Sequence, residues 1–317
     1  ALSRLSSIIS PNDICYLLSK DYSSYLKLNK LIPKGCTVLN LSGKLQKEVN
    51  LLRMPYLELF ANLSKKYNSI EWWGANIASR NSASIPLQLN ITYLFCAKGI
   101  LEEINKNKYP CRLIFIAESQ ALLGIINNLG KENDFEVKQP GKIIVNILSR
   151  FRLFNLYIIR LLAFLLHSCY NRVLAYSILN PLIVNDYKER TLVIRSLITE
   201  ASFSNNGIYK DRNFGELPEW LKSKGFKVIM LPMFVNFNKP LRDIYLMAKK
   251  QNVPLLIDHH YLRFIDYVKV IYLGYRQIKI PFKNITLKSL DISGLFREIQ
   301  LQQGFGESVL SNNLCYS

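Results

Sequence analysis

The chain has 317 residues, of which 49% are hydrophobic and 20% are charged; this is a globular composition and excludes an intrinsically disordered chain. Lysine and arginine outnumber aspartate and glutamate by 41 to 23, and the formal net charge of +18 favours a polyanionic partner: nucleotide phosphates, nucleic acid or an anionic membrane face. A composition bias with no partner is the alternative. Only three histidines and six widely spaced cysteines are present, so we expect no metal site and reduced, mostly buried thiols in a cytosolic protein.

The first 140 residues predict a βαβαβ unit, which is half of a doubly wound sheet or a small Rossmann-like unit. Residues 1 to about 35 are expected to be irregular or helical, and residues 69–84 begin like a strand before the pattern dissolves. The predicted strands lie at 36–42, 112–119 and 134–141, and the predicted helices at 44–67, 86–108 and 119–133, the last ended by Gly130.

Residues 142–187 contain no acid before Asp186 and predict a basic amphipathic helix. Helical spacing places an apolar face opposite a basic one, which suits the plane of an anionic membrane surface. The predicted membrane contacts are Arg150, Arg152, Phe154, Ile158, Arg160, Leu161 and Leu165. The uncharged runs 161–171 and 173–185 are too short to span a bilayer. A helical hairpin packed on the protein's own core would show the same apolar stripe.

Residues 189–285 predict a second α/β unit. Strands are expected at 191–198, 227–234 and 253–260, with helices at 216–225 and 239–251 between them. Pro218 stands where the first of these helices can begin and Gly225 where it can stop. The loop 199–215 is too long and too polar for a plain connector, and it follows a strand at its carboxyl end, where ligands bind in such sheets.

The predicted fold class is therefore α/β, with Rossmann-like parallel sheets flanked by helices and a basic amphipathic helical insertion. The predicted segments are 1–140, 141–188, 189–285 and 286–317. The chain begins with alanine, and its last residues follow helical sequence without a clear stop. We therefore expect a fragment in which 286–317 starts a truncated C-terminal region.

The chain lacks GxxxxGK[ST], GxGxxG, GxSxG and HExxH, so hydrolases built on those motifs are not expected. Two stretches carry a family resemblance instead. They are the sequence EWWGANIASRN at 71–81 and residues 202–218. Both resemble segments of a bacterial surface-carbohydrate biosynthesis family that is found in O-antigen and polysaccharide loci. The first resembles the WW…ASRN segment of that family, and the second resembles its SF-x(3)-G-x-Y-x-D-x-YFG-x-LP block. The resemblance covers roughly residues 35 to 300.

The resemblance implies a GT-B-like glycosyltransferase with two Rossmann-like domains, incomplete in this chain. It implies a nucleotide sugar as donor substrate, no further cofactor, and a lipid-linked glycan as acceptor. The protein would be cytoplasmic and peripheral at the inner face of the cell membrane. A non-catalytic assembly protein of the same machinery is the alternative. Nucleic acid is not expected as a partner, because no basic domain or aromatic-basic recognition sequence stands out.

The candidate substrate-binding residues lie in the two motif regions and in the strand at 191–198: Trp73, Arg80, Asn81, Arg195, Tyr209, Lys210, Asp211 and Arg212. Tryptophan faces stack on sugar rings, and an arginine fork binds phosphate or carboxylate. The paired tryptophans would otherwise be a buried anchor and a rim residue. Arg195 would otherwise form a structural ion pair with Asp211 or Glu200.

Inverting glycosyl transfer needs a general base for the acceptor hydroxyl. Asp258 and His259 end the third predicted strand of the second unit, and Glu118 ends a strand of the first; these are the candidate bases. A capping carboxylate or a satisfied buried histidine is the structural alternative for each.

Overall fold

The computed structural model describes residues 9–19, 21–32, 35–39, 41–79, 86–107, 112–138, 142–181, 190–203, 209–234, 238–250, 255–306 and 310. The chain is mixed α/β, with small parallel sheets, and divides into two compact units. The first comprises the chain up to Ile158 and from Val270 onward, and the second is Ile159–Lys269.

The strands are β1 (Ile14–Leu18), β2 (Thr37–Val38), β3 (Leu113–Ala117), β4 (Thr191–Ile198), β5 (Lys227–Phe234), β6 (Thr286–Leu287) and β7 (Leu290–Asp291). The α-helices are α1 (Tyr22–Leu31), α2 (Ser42–Lys66), α3 (Ile70–Gly74), α4 (Leu87–Asn107), α5 (Gln120–Glu132), α6 (Lys142–Ile178), α7 (Leu217–Ser223), α8 (Leu241–Lys250), α9 (Phe264–Ile278) and α10 (Ser293–Gln303). Short 3-10 helices lie at Asn76–Ser79, Glu200–Ser202 and Asp258–His260.

The sheet of the first unit has the order β2-β1-β3, and all its pairs are parallel. Its central strand β1 was missed: the expectation of irregular or helical structure at 1–35 is wrong for Ile14–Leu18. Five residues are too few to establish a period, and the strand is defined by its pairing with β3, 99 residues further along the chain. The strand predicted at 36–42 is confirmed only at Thr37–Val38.

Two further predictions in this unit are wrong. Residues 69–74 begin a helix, not a strand, because the Ser69 hydroxyl accepts a hydrogen bond from the backbone N–H of Trp72 and caps α3. Residues 134–138 form no strand; α5 continues past Gly130 to Glu132, and residues 139–141 lie outside the described residues. The predicted helices at 44–67 and 86–108 are confirmed as α2 and α4.

The core of the first unit is formed by side chains of α2, α4, α5 and α10 and includes the fully buried ring of Trp72. Phe60 and Phe296 pack against each other there, with ring centroids 5.8 Å apart. Burial of aromatic side chains of this size is a dominant stabilising contribution in a core.

The second unit is built on β4 and β5, which pair in parallel over eight residues each, as predicted. The third predicted strand reduces to one parallel bridge between Met230 and Leu255, and residues 258–260 form a 3-10 turn instead. Residues 251–254 lie outside the described residues. Helix α7 begins at Leu217 with Pro218 in its first turn, and it ends at Ser223, shortly before Gly225, whose φ of +79° does not continue a helix, as expected.

Strand β4 contacts the core of the second unit with one face. Burial alternates along it: Ile194, Ser196 and Ile198 are buried, whereas Val193 and Arg195 are exposed. An alternation of this kind belongs to a strand that is buried on one face only.

Helix α6 is continuous over 37 residues, so the alternative of a helical hairpin is wrong. Its stretch Phe151–Ile178 is long and apolar enough to cross a membrane by length and composition alone, with a mean hydropathy of 1.5. Each uncharged run is too short to span a bilayer by itself, but the helix continues through Arg160 and Arg172 and joins the runs into one apolar stretch. Only 11% of the most apolar window is buried.

Candidate functional site

The loop after β4 is organised by the carboxylate of Asp211, which is 2% exposed. This carboxylate accepts hydrogen bonds from the Tyr209 hydroxyl at 3.0 Å and from the backbone N–H groups of Asn213 and Phe214 at 2.8 Å each. Burial by itself would raise the pKa of Asp211, but these bonds and one with Ser196 outweigh it and hold the pKa below its ordinary value. Asp211 is thus an ionised residue that fixes the loop.

The other predicted residues of this region surround that carboxylate at the surface. Tyr209 is half-buried, and its pKa is raised by burial and by its bond to Asp211. Lys210 and Arg212 are exposed, and the Lys210 ammonium lies 3.9 Å from Glu216. These cations present positive charge to solvent from a loop that a buried carboxylate holds in place.

Arg195 is exposed on β4, whereas Glu200, which follows β4, is engaged in an ion pair. Arg195 is on the exposed face of β4. Glu200 receives the Lys239 ammonium at 2.9 Å. Gly215 adopts a φ of +56°, a left-handed backbone conformation that favours glycine in a turn.

The turn Asp258–His260 lies toward the carboxyl end of the same parallel sheet, three residues after the bridge at Leu255. Asp258 is exposed, and its carboxylate accepts the backbone N–H of His259 at 2.9 Å. The His259 ring is 9% exposed, and its Nδ1 lies 3.1 Å from the Tyr267 hydroxyl. The structure therefore places the two predicted catalytic residues differently: one carboxylate faces solvent and one imidazole lies behind it.

Burial lowers the pKa of His259 below the ordinary histidine value, and the Asp258 carboxylate partly opposes this effect. His167, Arg172 and His260 lower it further. The other two histidines therefore lie within electrostatic reach of His259, and its surroundings favour the neutral ring.

Helix α6 holds this turn in place. The Tyr176 hydroxyl donates to the backbone carbonyl of His260 at 2.7 Å, and the Arg172 guanidinium donates to the carbonyl of Leu262. The His260 ring contacts the Tyr176 ring edge to face at 4.9 Å. Among the described residues, neither of the buried ring nitrogens of His260 has a hydrogen-bond partner, and sequence reasoning gave His260 no role.

Glu118 lies at the carboxyl end of β3 in the first unit. It is exposed, and it accepts a hydrogen bond of 2.7 Å from the hydroxyl of Ser19, which follows β1. The Tyr93 hydroxyl donates to the Ser19 carbonyl at 3.0 Å; burial, with smaller contributions from Cys96 and Glu118, raises the pKa of Tyr93. Ser19 and Glu118 directly follow two neighbouring parallel strands, β1 and β3, so this pair lies at the carboxyl edge of the sheet.

The amino end of α5, beside that edge, is already occupied by a carboxylate of the chain itself. Glu298 of α10 accepts the backbone N–H groups of Gln120 at 2.9 Å and Ala121 at 3.1 Å, and it also accepts the Ser119 hydroxyl. This is the position where a helix that follows a parallel strand can bind a phosphate. No sequence signal links Glu298 to α5, because 177 residues separate it from Ala121.

The WW segment divides into a core residue and a rim residue. Trp72 is fully buried and donates from its indole to Ser64 at 3.2 Å, whereas Trp73 is 47% exposed and donates to Asn68 at 2.9 Å. The face of Trp73 can thus meet a ligand, and that of Trp72 cannot. Arg80 and Asn81 lie outside the described residues.

Glu71, beside the tryptophans, is 7% exposed and pairs with Arg276 of α9 at 2.9 Å. Burial by itself would raise the pKa of Glu71. Hydrogen bonds from its own backbone N–H and from Ser69, together with the Arg276 charge, outweigh burial and lower the pKa. The carboxylate therefore anchors the motif to α9.

The predicted membrane-contact residues fall into two groups along α6. Arg152, Phe154 and Ile158 are exposed, and Arg160, Leu161 and Leu165 are half-buried; the Arg150 side chain lies outside the described residues. The buried stripe of α6 is formed by Phe164, Ser168, Asn171, Ala175 and Ile178. On the opposite side of the helix, the exposed apolar residues are Leu148, Phe151, Ile158, Ile159, Leu162, Leu166, Tyr170 and Val173.

Among the described residues, no three His, Cys, Asp or Glu side chains converge in a way that could hold a metal ion. No protein-family profile matches the chain, and no curated protein or solved structure matches it either.

Proposed function

We propose that this chain belongs to a membrane-associated glycosyltransferase of cell-surface polysaccharide assembly. It would transfer a sugar from a nucleotide donor to a lipid-linked glycan acceptor. In this proposal each small parallel sheet is part of a Rossmann-like unit of GT-B type. The protein works at the cytoplasmic face of the membrane.

The observation that carries the proposal is the turn at Asp258–His260. It lies toward the carboxyl end of parallel strands, where α/β enzymes place their chemistry, and it is packed against the helix with the exposed apolar face. The exposed carboxylate of Asp258 takes the proton of the acceptor hydroxyl as general base. His259 is a positioning residue: its neutral ring, bonded to Tyr267, holds the turn beside Asp258.

Helix α6 supports a membrane location for the acceptor. One of its faces is packed into the core of the second unit, where Ala175 is fully buried and Phe164 lies against Tyr267. Among the described side chains of α6, the exposed apolar ones lie on the opposite face, which can therefore meet lipid. The helix therefore lies along the membrane surface, its arginines near the headgroups.

The loop after β4 supports donor binding. Lys210 and Arg212 extend into solvent from a backbone that Asp211 fixes. Preorganised cations of this kind bind the diphosphate of a nucleotide sugar.

The test is a binding and transfer assay on the full chain, with a panel of nucleotide sugars and lipid-linked acceptors extracted from bacterial membranes. We expect Asp258→Asn to keep donor binding and to lower kcat by at least about 100-fold. Asp243→Asn, an exposed carboxylate on α8, is the matched control and should be unchanged. Binding of no nucleotide sugar, or full activity of Asp258→Asn, would overturn the assignment.

A second candidate function is a non-catalytic assembly protein of the same machinery, and one observation favours it. Glu298 fills the amino end of α5, so that phosphate position is taken. If Glu298→Gln creates phosphate binding that the wild type lacks, the carboxylate blocks a former nucleotide site. A wild-type chain that also fails the transfer assay would then be an assembly protein.

A further inference from the structure

Helix α9 carries an exposed apolar face to which sequence reasoning gave no role. Five large side chains recur on one side of this 15-residue helix: Phe264, Ile265, Val268, Tyr272 and Tyr275. Phe264 is 78% exposed, the largest value among the exposed large hydrophobic residues of the described chain. The opposite side is packed inside, with Val270 fully buried and Gln277 4% exposed. The helix is thus fixed by one face and presents the other to solvent.

Basic side chains border this face. Lys269 and Arg276 lie seven residues apart, and therefore on the same edge of the helix, with side chains 54% and 55% exposed. Lys279 follows the helix end, and its ammonium lies 4.3 Å from the centre of the Tyr275 ring. The single acidic residue of α9, Asp266, is 7% exposed and is paired with Lys269 at 3.1 Å. Arg276 is offset by its pair with Glu71, but Asp266 is shared by Lys269 and Arg263, whose side chain is 78% exposed. One cation in excess of Asp266, together with Lys279, leaves the exposed side of α9 apolar and cationic.

We propose that this face of α9 docks on an anionic phospholipid surface. A helix of 15 residues is about 22 Å long, too short to cross a hydrocarbon core of about 30 Å, so α9 lies in the plane of the interface. Phe264, Ile265 and Val268 enter the acyl boundary. Tyr272 and Tyr275 lie at headgroup level, where aromatic rings with a polar end are enriched. The cations on the edge meet the lipid phosphates.

This inference rests on the membrane association in the proposed function, but on a different helix, and it does not depend on sugar transfer. Charge complementarity selects the occupant: a second copy of this chain, with its surplus of positive charge, would bring cations against cations, whereas an anionic bilayer neutralises them.

The test is flotation of the full chain with vesicles of phosphatidylcholine, with and without phosphatidylglycerol. We expect Phe264→Ser combined with Ile265→Ser to lower partition at least about tenfold on anionic vesicles, because two large apolar side chains no longer leave water. Lys269→Gln and Lys279→Gln should each cost about fivefold on anionic vesicles and leave the weak binding to neutral vesicles unchanged. Trp220→Ser, which removes an exposed ring on α7, is the matched control and should bind as the wild type does.

A second measurement protects the test against misfolded variants. The indole introduced by Phe264→Trp should be quenched by brominated acyl chains, in excess of any quenching of the native tryptophans. Unchanged partition of the Phe264/Ile265 double variant, or absence of this added quenching, would overturn the proposal. So would a change of oligomeric state in that variant, since the face would then be a contact between copies. Loss of sugar binding with α9-dependent flotation intact would sink the enzymatic proposal alone.

Discussion

Asp211 offers the sharpest test of how the loop after β4 is built. Its carboxylate is almost fully buried, and three donors of its own loop surround it: one hydroxyl and two backbone N–H groups, at 2.8 to 3.0 Å. A hydrogen bond to a charged group contributes about 1.5 to 3 kcal/mol. The bonds are partly accessible to water, so their contributions do not simply add. We expect Asp211→Asn to lower the free energy of unfolding by about 2 kcal/mol and Asp211→Ala by about 3 to 4 kcal/mol.

The pH dependence has a defined sign. The pKa of Asp211 is lower in the folded protein than in the unfolded chain, so its contribution to stability is fully present above the ordinary carboxyl pKa of about 3.9. The contribution is lost as the pH falls through the lower folded value. The difference between wild type and Asp211→Asn should therefore narrow below about pH 4.

The measurement is urea unfolding followed by tryptophan fluorescence, since Trp220 lies on the helix that follows this loop. Asp243→Asn, an exposed residue of the same unit, serves as control and should cost less than about 1 kcal/mol. Equal urea midpoints for wild type and Asp211→Asn would refute the reasoning. A difference that persists unchanged at pH 3 would refute the ionic part of it.

Three other predictions concern the buried residues Glu71 and His259 and the half-buried carboxylate of Glu298. Arg276→Ala should lower the free energy of unfolding by about 2 to 4 kcal/mol, because it leaves the Glu71 carboxylate buried without its cation. A double-mutant cycle with Glu71→Gln should give a coupling energy above about 1 kcal/mol. Additive effects of the two substitutions would contradict the pairing. Glu298→Ala should cost about 1 to 2 kcal/mol in urea unfolding, because the first N–H groups of α5 lose their acceptor; an unchanged midpoint would contradict this. Burial lowers the pKa of His259, so the wild type should lose stability as the pH falls below about 6.5. In thermal unfolding, the melting temperature of His259→Gln should depend less steeply on pH. An equally steep pH dependence in the variant would show that other groups cause it.

Elements with strong local signals could be predicted from the sequence. Strands β4 and β5 are eight-residue apolar runs, and α7 is bounded by Pro218 and Gly225, whose backbone preferences act where they stand. Three hydrogen-bond donors to the Asp211 carboxylate lie within three residues of it along the chain. The sequence motif of this loop therefore already contains most of the hydrogen bonds that hold Asp211. The division of the tryptophans into a core and a rim residue was one of two interpretations that the sequence left open.

The tertiary structure decided whatever depends on residues far apart in the chain. Strand β1 is short and exists because it pairs with β3. Glu298 caps α5, and Arg276 neutralises Glu71, across separations that no local period can encode. The exposed faces of α6 and α9 also required the structure, because both helices are apolar on more than one side and only packing determines which side stays outside. Hydrophobic periodicity and helix capping act within a few residues, so the sequence by itself determined the principal helices and the longer strands. Burial is a property of the folded chain. Only the tertiary structure therefore determined which charges are paired and which surfaces are exposed.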